Sequence, residues 1–216
     1  MFSVLTVLLC ISSPAWAAES DEEEPPEKTE SSAEYVRLSH EMEKLATRNA
    51  WSGVERAFRR MEEHGAEPRF DDLVRGAHAA QALGDITSTR ARLMKANAMV
   101  EDKEILNWLW DIDEHYGEVY LAGDLGKVEL ACSQMPFNPV QAKAVEFAVQ
   151  QVQDTGIYAG YLPQGSYTFA SRTIEVQPRV QSVRMDLRTE EGMKERRKAE
   201  KKMKREKKKD SKANRR

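Results

Sequence analysis

Apolar residues recur every three to four positions between residues 34 and about 116, which is the spacing of one face of an α-helix. Five such stripes follow one another, and glycine or proline separates several of them. The first stripe contains Tyr35, Leu38, Met42 and Leu45. The pattern therefore predicts five amphipathic helices that pack as antiparallel hairpins.

Residues that favour helix ends mark the same boundaries. Asn49 and Asp85 stand where the second and fourth helices are expected to begin, and their side chains can accept hydrogen bonds from the free N–H groups there. Gly84 stands where the third helix is expected to end. The two caps are 36 positions apart (85 − 49), and the other helix starts recur at similar intervals.

The segments "LATRNAWSGVERAFRRM" and "AHAAQALGDITSTRARLMKA" carry this repeat. A recurring helix pair with a period of about 34 residues resembles the tetratricopeptide repeat. The resemblance covers residues 34–116 as two degenerate repeats and a capping helix. It implies a stack of helix pairs that binds other proteins through its surface. A plain bundle of helical hairpins fits the same stripes.

The pattern changes to alternation after residue 123. Val128, Leu130 and Cys132 alternate with polar or small residues, which predicts a half-buried strand over 127–133 with Cys132 on its apolar face. Further alternating runs lie at 157–161, 167–169, 174–176 and 183–187. Because short turns separate the last four runs, we expect them to form a small antiparallel meander.

Residues 139–153 fit either a strand or a helix, since their valines satisfy both periods. Asn138 as a cap and Pro139 as the first helical residue favour the helix.

The segment "GYLPQGSYTF" resembles the Leu-Pro-x-Gly-x-Tyr-x-Phe element of the carboxypeptidase-regulatory-like and PEGA-type β-modules, which occur in many exported bacterial proteins. The resemblance covers about 126–188. It implies that the proline and glycine form a turn, and that Tyr167 and Phe169 belong to a buried strand. These residues would then be structural.

Together these patterns predict an α+β fold. Antiparallel, tetratricopeptide-like helical hairpins occupy residues 34–123, and a small antiparallel β-rich module occupies residues 126–188.

The first seventeen residues have the form of a secretory signal peptide. An apolar run over 2–11 precedes the small-x-small pattern Ala15-Trp16-Ala17, so we expect cleavage between Ala17 and Ala18. The run is shorter than the roughly 20 residues that cross a bilayer. The protein is therefore expected to be periplasmic or secreted, with no membrane span after cleavage. Cys132 would be its only cysteine.

Charge is concentrated at the two ends. Residues 19–34 contain eight acids and one lysine (−7), and residues 188–216 contain fifteen bases and six acids (+9). With a total of −3, the middle of the chain carries about −5 (−3 + 7 − 9). Residues 18–33 are expected to be a disordered acidic linker, and residues 189–216 a disordered tail or a solvated helix. In an exported protein, the tail would meet an anionic envelope polymer or lipid rather than nucleic acid.

The sequence offers little catalytic chemistry. The four histidines fall on different predicted helices, and only Asp111 with His115 can share a helix face. Two ligands do not complete a metal site. Cys132 has no neighbouring base in the sequence to activate it. We therefore expect no enzyme activity, metal or cofactor. A hydrolase or redox enzyme using Cys132 or His115 is a remote alternative.

The tryptophans are the better candidates for binding. Trp51, Trp108 and Trp110 lie in the helical region, and Trp108 and Trp110 cannot both face the core because they are two positions apart. The hypothesis is an exported, non-catalytic scaffold or adaptor of the cell envelope. Its helical groove would bind a partner protein and its basic tail would tether it. The alternative is an envelope structural protein in which the tail alone binds.

Overall fold

The computed structural model describes residues 27–136, 138–180, 182–190, 193–194 and 197–198. The expected signal peptide, its cleavage site at Ala17 and Ala18, and most of the basic tail lie outside these residues.

Five helices make up the first part of the described chain, as the apolar stripes predict. They are α1 (Glu27–Ala46), α2 (Trp51–Glu63), α3 (Phe70–Leu83), α4 (Ile86–Met99) and α5 (Lys103–His115). Each helix packs against the next, and α1 also contacts α3. Because α1 begins at Glu27, residues 27–33 of the expected linker are helical.

Most of the predicted caps are confirmed. The Asp85 carboxylate accepts a hydrogen bond from the Ser88 N–H at 3.0 Å, and Gly84 ends α3 with a φ of 87°. The prediction for Asn49 is wrong. Asn49 has a φ of 53° and its N–H bonds to the Ala46 carbonyl, so it closes α1 instead of opening α2. Ala50 is the N-cap of α2 and makes no side-chain cap bond.

The second part contains a helix between its strands, and six strands lie within the described residues. The helix favoured by Asn138 and Pro139 is confirmed as α6 (Pro139–Thr155), with the Asn138 Oδ1 accepting from the Val140 N–H at 2.9 Å. The strands are β1 (Tyr116–Ala122), β2 (Leu130–Cys132), β3 (Ile157–Pro163), β4 (Gly165–Phe169), β5 (Arg172–Val176) and β6 (Val183–Asp186).

The α+β class is confirmed, but the four predicted runs do not form one meander: of these strands only β4 and β5 pair with each other, and they are antiparallel. The strands form two three-stranded sheets, in the orders β3-β1-β6 and β2-β4-β5. β3 pairs antiparallel with β1, and β6 pairs parallel with β1. The Leu-Pro-x-Gly element is therefore a corner between two sheets and not a hairpin. At this corner the Gln164 N–H donates to the His115 carbonyl at 3.0 Å.

Strand β1, at 116–122, was not predicted, because it directly continues α5 inside the region assigned to helices. It ties the two parts together, since Tyr116 belongs to the helical core and Leu121 to the core under the sheets. Ala144 of α6 also lies in the helical core. Gly160 meets the start of α4 so closely that an added Cβ would lie 2.4 Å from the Thr87 Oγ1.

None of the described helices is both long and apolar enough to cross a bilayer.

Candidate functional site

The structure divides the three candidate tryptophans between two surfaces. Trp51 and Trp108 belong to one aromatic cluster, and His78 lies between them. Trp110 lies elsewhere, with 59 % of its surface exposed. The prediction that Trp108 and Trp110 cannot both be buried is confirmed, because Trp108 is half-buried.

The cluster brings together three helices. Trp51 is the first residue of α2, His78 lies on α3 and Trp108 lies on α5. The rings of Trp51 and His78 are stacked with centroids 6.3 Å apart and an interplanar angle of 29°. The rings of His78 and Trp108 are 4.6 Å apart and tilted by 41°. We call this row of rings the aromatic cluster.

His78 keeps an exposed edge although its ring lies between two indoles. Desolvation by this packing lowers the pKa of His78 below its usual value. The shift favours the neutral imidazole, which can stack and can both donate and accept a hydrogen bond.

The aromatic cluster opens onto a cleft between α3 and the first turn of α6. The cleft has a volume of about 280 Å³. Its lining residues are Trp51, His78, Gln81, Ala82, Pro139, Val140 and Lys143. The Lys143 ammonium forms an ion pair with Glu146 at 2.6 Å. The walls thus combine ring faces and aliphatic carbons with one amide and one ammonium group.

Sequence reasoning missed His78 and the α6 wall. The run of small residues around His78, at Ala77, Ala79 and Ala80, was an available signal, since such a run leaves room for neighbouring rings. No local signal could have placed α6 there, because its approach depends on Gly84. An added Cβ on Gly84 would lie 2.2 Å from the Lys143 carbonyl oxygen.

Trp110 lines a second cavity, of about 330 Å³, between α4, α5 and the first sheet. The Arg179 guanidinium lies 5.8 Å from the centre of the Trp110 ring and pairs with Glu114 at 2.7 Å. Arg90 forms a bidentate pair with Asp113, with N–O distances of 2.8 and 3.3 Å. The charged groups at this surface are largely paired within the chain.

The remaining sequence candidates are not brought together. Cys132 is half-buried beside the core under the sheets, and its thiol donates to the Gln134 carbonyl at 3.1 Å. His115 pairs with Asp111 at 3.2 Å, as their shared helix face predicts, and both are exposed. Within the described parts of the chain, no three His, Cys, Asp or Glu side chains are placed to hold a metal ion.

Comparison with family models, curated proteins and solved structures gives no match to this chain. The two resemblances drawn from the sequence stay predictions.

Proposed function

We propose that this chain is an exported, non-catalytic interaction protein of the cell envelope, and that it binds a segment of a partner protein in the cleft beside the aromatic cluster. One observation carries the proposal: the aromatic cluster joins three helices, and its Trp51 and His78 rings line a cleft whose far wall is α6.

The chemistry of the cleft suits a peptide segment. Trp51 and His78 offer ring faces, which bury a large area at a small cost in side-chain entropy, and tryptophan is enriched among the residues that dominate binding energies. Gln81 and Lys143 supply donors that fix orientation. The rings are already packed against one another, so little ordering is required when a partner binds.

The position of α6 limits how long a binding groove along the helices can be. Ala144 of α6 is buried in the helical core, and the α6 backbone approaches Gly84, so this helix covers part of α3. A long groove along α3 is therefore not open to a partner. The cleft is large enough for a few side chains, and we expect a short segment to bind there.

Site-specific photo-crosslinking in cells tests this proposal. A benzophenone side chain replaces Gln81 inside the cleft, and in a control it replaces Arg172, which is exposed on β5. We expect a discrete adduct from position 81 alone, and we expect Trp51→Ala to abolish it. Trp110→Ala is the matched variant, because it removes the same side chain from the other surface. Identical adducts from positions 81 and 172 would contradict the proposal.

The charge of +9 over residues 188–216 favours a second function, an envelope structural protein held by its basic tail. Replacing the lysines and arginines of residues 201–209 by glutamine discriminates the two. Loss of envelope association with no loss of the position-81 adduct indicates that the tail only tethers. Loss of the adduct as well places partner capture in the tail. The remote enzymatic alternative predicts a changed phenotype for the Cys132→Ser, His115→Ala double variant.

A further inference from the structure

Strand β6 is an edge of the sheet β3-β1-β6, and it lies parallel to β1. The Leu187 N–H donates to the Ala122 carbonyl at 2.7 Å. Since the bonding residues of a parallel ladder alternate, Val183 and Met185 direct their backbone groups toward β1 as Leu187 does. Arg184 and Asp186 direct theirs away from the sheet. No strand of the described residues pairs with that outer side of β6.

The sequence of this edge is complementary to itself. If a second copy pairs antiparallel with β6 about Met185, Arg184 of each copy lies opposite Asp186 of the other. Arg184 and Asp186 are also the two residues whose backbone groups point away from β1. The charged pairs would therefore coincide with the hydrogen-bonded pairs of an antiparallel ladder, and Met185 would lie opposite Met185 at a non-hydrogen-bonded pair.

The side chains of the edge are already placed for this arrangement. Arg184 and Asp186 are exposed and lie on one face of the sheet, where the Arg184 guanidinium is 4.7 Å from the centre of the Tyr120 ring. Asp186 also pairs with Arg188, and a carboxylate has acceptor sites for a second guanidinium. Val183 and Met185 lie on the opposite face and pack against the core under the sheets.

We propose that two copies of this chain associate through antiparallel pairing of β6 about Met185, which joins their sheets into one of six strands. Four-residue strands bury less than the roughly 1,200 Å² of a standard interface, so the association is weak, on the order of micromolar or weaker. The dimer would carry two basic tails, which would strengthen any tethering by bivalency. The proposal does not depend on the function of the cleft.

The proposed pairing can be tested in the full chain by exchanging the charges of Arg184 and Asp186 on β6. Sedimentation velocity over a range of concentrations should show reversible dimerisation. Arg184→Asp places two carboxylates opposite each other at each pair, and Asp186→Arg places two guanidinium groups there. We expect each variant to weaken association by at least about tenfold. The double variant exchanges the charges and should restore it. Glu175→Arg on β5 is the control. A monomer at all concentrations, or a double variant as weak as the single ones, overturns the proposal.

A disulfide test locates the two-fold axis. Both native cysteines, Cys10 and Cys132, are replaced by serine. Because Cα atoms at a non-hydrogen-bonded antiparallel pair are about 4.5 Å apart, Met185→Cys should form a disulfide-linked dimer under mild oxidation. Arg184→Cys is the matched control and should link much less, since it lies opposite position 186. Equal linking at the two positions would exclude this register.

Discussion

The helical region buries charges in pairs, whereas the β-region buries neutral tyrosine hydroxyls. Between α2 and α4, the buried Glu55 and Arg92 form a bidentate pair with N–O distances of 2.5 and 2.9 Å. In the β-region, the Tyr158 hydroxyl donates to the Tyr161 carbonyl at 2.9 Å and the Tyr167 hydroxyl to the Pro163 carbonyl at 2.8 Å. The helical core thus holds a buried ion pair, and the core under the sheets holds hydroxyl–carbonyl bonds, while the buried Asp124 carboxylate just after β1 accepts from the Thr189 hydroxyl at 2.6 Å.

The difference follows from the backbone. The backbone carbonyls of a helix accept hydrogen bonds within the helix, so polar links between helices come from side chains. The Arg92 guanidinium reaches both Glu55 on α2 and the Gly76 carbonyl on α3, and thereby joins three helices. At the end of β3, where the chain changes sheets, the Pro163 carbonyl faces away from β1. The Tyr167 hydroxyl donates to this carbonyl and satisfies it.

Breaking the buried charge pair should have the largest effect on stability. We expect Glu55→Ala to lower the free energy of unfolding by about 3–5 kcal/mol, because Arg92 would stay charged and buried without its partner. Urea denaturation measures the change.

The double variant Glu55→Met, Arg92→Met distinguishes the contribution of the ion pair from the contribution of side-chain packing. It should recover most of the loss, since replacing a buried pair by apolar residues is often neutral. The Arg92 guanidinium also lies 4.0 Å from the centre of the Phe58 ring. A double variant less stable than Glu55→Ala would show that Arg92 acts through this ring and the Gly76 carbonyl instead.

The buried tyrosines should make the β-region sensitive to alkali. Burial raises the pKa of Tyr116 to about 12 and also raises the pKa values of Tyr158 and Tyr167. The folded state holds these protons more tightly, so stability is complete below pH 10 and falls as the pH rises above it. The three groups together predict a loss on the order of 3 kcal/mol by pH 11.

Urea denaturation at pH 8 to 11 measures this slope. Tyr167→Phe should make the alkaline loss shallower. Tyr120→Phe is the matched control, because it removes the hydroxyl of a half-buried tyrosine on the open face of the first sheet. Equal slopes for both variants and the parent chain would refute the assignment.

The same contrast explains what could be predicted from the sequence. Helix positions depend on near neighbours, so the stripes located all five hairpin helices, and Asn138 with Pro139 located α6. Strand pairing depends on distant residues. No local pattern shows that β6 pairs with β1 across some sixty positions, and the meander prediction failed for that reason. The tryptophans could be predicted as candidates from the sequence. The position of His78 between Trp51 and Trp108, and of α6 as a wall of the cleft, depends on tertiary packing and could not be predicted.

The junction of the two regions should give an intermediate effect. Gly160→Ala adds a Cβ that would lie 2.4 Å from the Thr87 Oγ1 and 3.0 Å from the Tyr158 hydroxyl. Overpacking of this kind costs about 1–3 kcal/mol. The double variant Gly160→Ala, Thr87→Ala should recover part of the loss, as measured by thermal denaturation. If Thr87→Ala recovers none, the clash with Tyr158 dominates and the strain lies within the β-region.

The smallest effect should be the response of the helical region to acid. Arg92 and Arg59 hold the pKa of Glu55 below its usual value in spite of the desolvation that opposes them. The stabilisation is complete above about pH 4.5, where the unfolded carboxyl is also ionised, and is lost as the pH falls through the lower folded pKa. Between pH 5 and 3 we expect the parent chain to lose about 1 kcal/mol more stability than Glu55→Gln, which has no carboxyl to protonate.

Glu34→Gln is the control, because Glu34 pairs with Arg37 at the surface, and this variant should change the acid slope less. An acid slope that Glu34→Gln reduces more than Glu55→Gln would show that surface pairs, and not the buried one, set the acid stability of the helical region.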